Sequence, residues 1–178
     1  NQPEEINRKL TDHLSYICFA PTEIAVKNLL NEGINQERIF LSGDVMADTS
    51  RIFANLDCAH SEIFLEYKLK PKNYILTTIH RAENTNNLDT LKIILKSFNK
   101  IDKKIIWPIH PRTRKIIFQN KLDYYLKKIN IIDPVGYKEM SILEKNALII
   151  ITDSGGIQKE AYFNKVPCVT LRENTEGI

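Results

Sequence analysis

Short apolar runs of strand length alternate with segments of helical periodicity along almost the whole chain. The runs are rich in Ile and Leu, and they predict strands at residues 14–20, 38–42, 73–79, 104–109, 128–132, 147–152 and 166–171. Between the runs, apolar side chains recur every three or four positions, as they do over residues 87–98. Strands that alternate with helices predict an α/β fold with a doubly wound parallel sheet, because parallel neighbours need a crossover connection.

Polar clusters follow six of the predicted strands. They are Asp44 and residues 80–84, 110–112, 133–137, 153–160 and 172–176. The carboxyl ends of parallel strands meet at one edge of the sheet, where ligands bind in folds of this kind. Six such clusters in succession therefore predict a binding edge rather than six unrelated polar turns.

The cluster at residues 153–160 joins a strand end, a Gly-Gly turn and the start of a helix. The free backbone N–H groups and the positive end of a helix attract an anion. Ser154 adds a hydroxyl, and Gly155 and Gly156 allow a ligand to approach the backbone closely. Taken alone, a Gly-Gly turn favours the interpretation as an ordinary tight turn between strand and helix. The neighbouring clusters favour a phosphate or pyrophosphate site.

Glu160 and two histidines have competing interpretations. Glu160 lies about one and a half turns into the predicted helix, where its carboxylate could accept hydrogen bonds from a ribose diol. A surface glutamate favoured by the helix dipole fits the same position equally well. His80 could donate to a phosphate or carry a proton. It could also bond a backbone carbonyl at the strand end, and the same alternative holds for His110.

Composition and missing motifs exclude several classes of protein. The 178 residues carry a net charge of +3, which gives no argument for nucleic acid, and no apolar run approaches the roughly 20 residues of a membrane span. Neither the three cysteines nor the four histidines have metal-ligand spacing, so we predict no metal and a reduced, cytoplasmic compartment. The fingerprints of dinucleotide-binding proteins, P-loop ATPases and serine hydrolases are absent from the sequence.

Seven stretches together resemble the non-hydrolysing UDP-N-acetylglucosamine 2-epimerases. In the order of the family, they are residues 3–8, 19–23, 79–84, 109–113, 133–137, 152–160 and 171–176. Each stretch alone is weakly specific. The combination of Pro-Glu-Glu-Ile-Asn-Arg, His-Arg-Ala-Glu-Asn and Asp-Ser-Gly-Gly-Ile-Gln is highly specific.

The resemblance implies a fold of the glycosyltransferase-B type, in which a nucleotide sugar binds between two Rossmann-like domains. Residues 14–178 resemble the C-terminal, UDP-binding domain, and residues 1–13, for which we predict a loop or short helix, resemble the tail of the N-terminal domain. The family's Gly-Thr-Arg-Pro-Glu, Gly-Asp-Thr and His-x-Glu-Ala-Gly segments and its final helices have no counterpart here. We therefore expect this chain to be a piece of a longer protein, which the resemblance implies is a homodimer.

The implied reaction inverts C2 of UDP-GlcNAc by eliminating UDP and adding it back on the opposite face, which gives UDP-ManNAc. By resemblance, Glu4 is a catalytic carboxylate, and His80 contacts the phosphate or assists its departure. The residues implied to hold phosphate and ribose are Ser154, Gly155, Gly156 and Glu160. The other implied UDP contacts are Arg81, His110, Arg172 and a turn around the uracil with Pro134, Tyr137 and Met140. No cofactor is implied.

Two other functions stay open at this point. A sugar transferase of the same architecture would release UDP only when an acceptor is present. A non-catalytic UDP-binding fragment is the other alternative, because two carboxylates expected for catalysis are absent from these residues. The isolated 178 residues are expected to be inactive, and the exact sugar is open, since the family accepts sugars modified at C3 or C6.

Overall fold

Two parallel sheets are present in the part of the chain that the computed structural model describes, residues 3–53 and 56–172. The strands are β1 (Cys18–Ala20), β2 (Ile39–Leu41), β3 (Tyr74–Thr78), β4 (Lys104–Pro108), β5 (Ile129–Ile132), β6 (Ile149–Thr152) and β7 (Cys168–Thr170). The helices are α1 (Pro3–Leu14), α2 (Glu23–Asn31), α3 (Val45–Phe53), α4 (Glu62–Glu66), α5 (Ala82–Thr85), α6 (Leu88–Phe98), α7 (Pro111–Gln119), α8 (Tyr137–Asn146) and α9 (Gly155–Phe163). No helix in these ranges is long and apolar enough to cross a membrane.

The main sheet has the strand order β5-β4-β3-β6-β7, and every neighbouring pair is parallel. The order runs outward in both directions from β3, so the switch point of the sheet lies between β3 and β6. All five residues of β3 are buried, as expected for a central strand that is covered on both faces. The predicted Rossmann-like α/β class, with a doubly wound parallel sheet, is thereby confirmed.

Alternate residues of the central strands supply two cores, one on each face of the main sheet. Ile75 and Trp107 belong to one core, which α6 and α7 cover with Leu91, Leu95 and Ile117. Tyr74, Leu76 and Ile106 belong to the other, which α8 and α9 cover with Leu143 and Ala161. This alternation follows from the period of two residues in a strand.

The first two strands correct a sequence-based expectation. The periodicity places all seven strands in one sheet, whereas β1 and β2 pair only with each other among the described strands. The chain divides into two compact units between Thr49 and Ser50, and these two strands belong to the first unit. A hydrophobic pattern identifies a strand without identifying its partner. The division into domains at residue 13 stays a prediction.

Two helices, α1 and α8, differ from the elements that the sequence predicts. The polar opening is a 12-residue helix, α1, in which Arg8 pairs with Glu5 and Asp12 on the same helix and with Glu32 at the end of α2. Helix α8 begins at Tyr137, so Tyr137 and Met140 lie on its first turn and not in the predicted loop. Gly136 precedes the helix and ends the turn.

The hydroxyl of Thr113 connects the first turn of α7 to the end of β3. It is buried and donates to the carbonyl oxygen of Ile79 over 3.0 Å. We expect Thr113→Val to lower the free energy of unfolding by about 1–3 kcal/mol, because valine leaves that carbonyl unsatisfied. Urea unfolding measures the change. The control is Thr11→Val, which removes an exposed hydroxyl bond within α1 and should cost less than about 0.5 kcal/mol. Equal losses in the two variants would contradict the role of the buried bond.

Candidate functional site

The side chain of Asp153 organises the edge of the main sheet at the switch point. It follows β6, is fully buried and accepts hydrogen bonds from three groups in the segment between β3 and the end of α5. The backbone N–H groups of His80 and Arg81 donate over 3.1 and 2.9 Å, and the Asn84 amide donates over 3.0 Å. The Asn84 amide also donates to the carbonyl of Leu171, after β7. One carboxylate thus links the chain segments after β3 and β6, and Asn84 extends the link to the end of β7.

The imidazole of His80 is also held by Asp153. Its Nδ1 lies 3.2 Å from Oδ1 of Asp153, while the ring itself is half-exposed. This decides against the backbone carbonyl as the partner of His80. Because Nδ1 is occupied by the carboxylate, a ligand would meet Nε2.

Asp153 remains charged at neutral pH. Burial alone would raise the pKa of this carboxyl, but the hydrogen bonds from His80, Asn84 and the backbone N–H groups outweigh burial and hold the pKa below its usual range. Sequence analysis did not select Asp153 or Asn84 as site residues. Both residues lie in the polar clusters that follow predicted strands, but only the pairing of β3 with β6 shows that they meet.

The N-terminus of α9 is shaped for an anion. Ser154 is its N-cap and accepts from the backbone N–H of Ile157 at 3.5 Å. Gly155 and Gly156 form the first turn, where backbone N–H groups have no acceptor within the helix. A Cβ atom on Gly155 would lie 3.6 Å from Nη1 of Arg172, so this guanidinium lies beside the helix start. The cation and the helix dipole together attract negative charge.

Glu160 lies further along α9 and is 93% removed from solvent, with 7% of its surface exposed. The alternative interpretation of Glu160 as a surface glutamate is therefore wrong. The Tyr137 hydroxyl hydrogen-bonds to the Glu160 carboxylate, and burial followed by this bond raises the pKa of Tyr137. Glu160 is therefore a buried carboxylate on the same helix that presents its N–H groups to an anion.

Glu144 is a further buried carboxyl that sequence analysis missed. It is 1% exposed on α8 and hydrogen-bonds to Glu160. Burial, followed by the charge of Glu160 and this hydrogen bond, raises the pKa of Glu144 well above its usual range. A glutamate in the middle of an amphipathic helix looks like a surface residue in the sequence, so no local signal marks it.

A cavity of about 250 Å³ opens beside these groups at the carboxyl edge of the sheet. Its lining residues are Thr78, Ile79, His80, Pro108, His110, Pro134, Val135, Met140 and Ile157. His110 is the N-cap of α7, where its Nδ1 accepts from the backbone N–H of Arg112 at 3.2 Å. In a neutral His110 the proton is then on Nε2, which makes that nitrogen a donor.

The structure brings together most of the residues selected from the sequence. His80, His110, Pro134 and Met140 line the cavity, and Ser154, Gly155, Gly156 and Arg172 surround the start of α9. Arg81 contributes its backbone N–H to Asp153. Glu4 lies in the first turn of α1, in the unit that ends at Thr49. The catalytic role of Glu4 stays a prediction.

Comparison with known proteins identifies the family. The family model described as UDP-N-acetylglucosamine 2-epimerase matches residues 1–177. The chain belongs to the UDP-N-acetylglucosamine 2-epimerase family. The resemblance drawn from the sequence motifs is thereby confirmed.

The similarity extends over nearly all of this chain. It is 52% identical over 180 residues to the UDP-N-acetylglucosamine 2-epimerase homolog of Methanococcus maripaludis, which covers 99% of this chain and 50% of that protein. It is 44% identical over 181 residues to the UDP-2,3-diacetamido-2,3-dideoxy-D-glucuronate 2-epimerase of Pseudomonas aeruginosa. That match covers 99% of this chain and 49% of that protein.

A solved structure shares the fold. The crystal structure of Methanocaldococcus jannaschii UDP-GlcNAc 2-epimerase in complex with UDP-GlcNAc and UDP matches with a TM-score of 0.84 and 48% identity. The match covers 99% of this chain and 51% of that one. The chain thus spans about half the length of the epimerase-family relatives that it matches.

The buried charge of Asp153 leads to a prediction about pH. Its pKa is lowered in the folded state, so its stabilisation is present above the unfolded pKa of about 3.9 and is lost as the pH falls through the lower folded value. We expect Asp153→Asn to cost about 2–4 kcal/mol of unfolding free energy at pH 7, because an amide offers a donor to groups that need an acceptor. The cost should shrink steadily from pH 5 to pH 3 in urea unfolding series.

The matched control is Asp133→Asn, which neutralises a largely exposed carboxylate paired with Arg114 at 3.1 Å. An exposed pair contributes little, so we expect a change within about 0.5–1 kcal/mol at every pH. A loss for Asp153→Asn that is the same at pH 3 and pH 7 would contradict the assignment of its effect to the charge.

Proposed function

We propose that this chain is the UDP-holding half of an isomerase, a UDP-N-acetylglucosamine 2-epimerase that interconverts UDP-GlcNAc and UDP-ManNAc. The observation that carries the proposal is the arrangement on α9. Its N-terminus and Arg172 offer a site for a diphosphate, and Glu160 offers a buried carboxylate further along the same helix. Membership of the epimerase family supports this assignment.

The diphosphate lies at the start of α9 in this proposal. The backbone N–H groups of Gly155 and Gly156 donate to it, and the Ser154 hydroxyl hydrogen remains available while its oxygen caps the helix. Arg172 supplies the compensating charge from its place beside Gly155. Arg81 is a further candidate for this charge.

The ribose and uracil take the neighbouring positions. The Glu160 carboxylate accepts from the ribose hydroxyls, and the 250 Å³ cavity receives the uracil between Pro134 and Met140. Nε2 of His110 donates at its rim. Tyr137 contributes through its bond to Glu160, in addition to its place at the start of α8.

The chemistry is an elimination followed by re-addition. A carboxylate removes the C2 proton, the electrons of the C2–H bond form the C1–C2 double bond, and the C1–O electrons leave with UDP. Adding UDP back and returning a proton to the other face of C2 completes the inversion. We assign Glu4 as one of the carboxylates, and each positioned acid or base contributes roughly 10²–10⁴-fold to such a reaction. His80 stabilises the charge that develops on the departing phosphate.

The remaining assignments concern the sugar, the compartment and the assembly. We assign a 2-acetamido sugar, and the 44% identical relative named for a diacetamido glucuronate makes a modified sugar the second candidate. Free cysteines at positions 18, 58 and 168 are consistent with a reducing cytoplasm. We propose a homodimer for the intact polypeptide, and UDP binding without turnover for these 178 residues alone.

Glu160 provides the sharpest binding test. We expect Glu160→Ala to weaken the binding free energy of UDP by about 1–3 kcal/mol, because the ribose hydroxyls lose a charged acceptor. Titration calorimetry of this chain should show no such loss for 2′,3′-dideoxy-UDP. The control is Glu66→Ala, which removes the same charge at an exposed position at the end of α4, before β3 begins. Equal weakening of both nucleotides by Glu160→Ala would remove Glu160 from the ribose site.

Turnover is tested in the intact polypeptide that contains this chain. With UDP-GlcNAc in D₂O, we expect UDP-ManNAc to form with solvent deuterium at C2, as seen by ¹H NMR, and without accumulation of free UDP. His80→Ala should lower kcat by about 10²-fold or more if it assists the leaving phosphate. UDP release that requires an acceptor would instead indicate a transferase. UDP binding without turnover in the intact polypeptide would indicate a binding protein.

A further inference from the structure

Glu160 is held by a second carboxyl group that the epimerase chemistry does not use. Glu144 projects from α8 beside Ile142 and Leu143, and all three side chains are buried. Its carboxyl hydrogen-bonds to that of Glu160 on α9. A buried glutamate on an otherwise apolar helix face is costly unless it is paired or neutral. Its presence therefore needs an explanation.

The pair can hold only one negative charge at ordinary pH. Two carboxylates at hydrogen-bond distance repel, and such a pair shares a proton. Oε1 of Glu144 is buried without a hydrogen-bond partner in the described part of the chain, which suits a neutral carboxyl better than a carboxylate. Glu144 is the more deeply buried of the two, and burial followed by the charge of Glu160 raises its pKa, so we place the shared proton on Glu144.

Three other titratable side chains lie near the pair, and burial raises the pKa of each of them. Tyr137, on α8, bonds to Glu160, and its pKa is raised by burial and by that bond. Cys168 on β7 and Tyr74 on β3 lie near Glu144, and burial, together with charges that include Glu144, raises the pKa of each. Glu139, on α8, also acts on Tyr74. The proton shared by Glu144 and Glu160 therefore sets the charge of this pair of carboxyls.

We propose that Glu144 is a positioning residue, whose neutral carboxyl donates a hydrogen bond that holds the Glu160 carboxylate toward the ribose hydroxyls of UDP. The inference rests on the proposed function, since it requires Glu160 to bind the ribose. A carboxylate has about four lone-pair sites. Glu144 and Tyr137 occupy two of them from α8, which leaves two for a diol.

A dependence on pH follows from this arrangement. As the pH rises through the raised pKa of Glu144, this carboxyl loses its proton, its donor is lost and the two carboxylates repel. The hold on the ribose weakens, so the affinity for UDP falls. The uracil imide also titrates in alkaline solution, and the effect of Glu144 is therefore the difference between wild type and a variant that cannot titrate.

The test compares wild type with Glu144→Gln and Glu144→Leu in this chain, with UDP and 2′,3′-dideoxy-UDP as ligands in titration calorimetry from pH 7 to pH 10. Glutamine keeps a donor but has no titrating proton. The UDP affinity of Glu144→Gln at pH 7 should therefore stay within about threefold of wild type. At alkaline pH its affinity should fall less than that of wild type. Leucine removes the donor, so UDP should bind roughly tenfold more weakly at pH 7 while dideoxy-UDP is unchanged.

The outcomes separate the inference from the proposed function. If wild type binds UDP and both variants match its affinity and its pH profile, the role of Glu144 is overturned. If Glu144→Leu weakens the binding of both nucleotides equally, the effect is structural alone, and the positioning role of Glu144 is also overturned. If Glu144→Leu does not fold, the pH profile of Glu144→Gln decides. A wild-type chain that does not bind UDP at all overturns the proposed function, and the positioning role with it.

Discussion

The buried carboxylate of Asp153 is the interaction on which the carboxyl edge of the main sheet depends. A charge removed from water must be satisfied by several donors, and here they all come from residues 80–84, which follow β3. That requirement holds His80 and Asn84 against the start of α9. The elements that would bind a diphosphate are therefore placed by a buried charge that is satisfied within the protein.

Helix α9 combines two opposite electrostatic environments within nine residues. Its N-terminus, with Arg172 nearby, favours an anion, whereas Glu160 further along is an anion itself. The two can coexist because Glu160 is held by Tyr137 and the neutral carboxyl of Glu144, so that its charge is satisfied within the protein. A nucleotide suits this arrangement, since its phosphates are acceptors and its ribose hydroxyls are donors.

The first unit of the chain has only a small core and leaves large aromatic side chains exposed on its two-stranded sheet. Its parallel strands β1 and β2 enclose a small core around Cys18, Ala20 and Leu29, while Phe19 and Phe40 remain exposed on the sheet and their rings lie 6.3 Å apart. Parallel sheets are usually covered on both faces. This unit also carries Glu4, so the proposed catalytic carboxylate and the proposed UDP site belong to separate units of the chain.

The sequence by itself determined the alternation of strands and helices, the polar edge and the epimerase-like motifs, because periodicity and short motifs are local properties. It did not determine which strands pair, since the hydrophobic pattern of β1 or β2 is the same in either sheet. Tertiary structure alone decided that Asp153, Glu144 and Glu160 are buried, because the burial of a polar side chain depends on what packs against it. The pairing of those carboxyls with groups more than ten residues away decided their charge, and no local pattern encodes such a pairing.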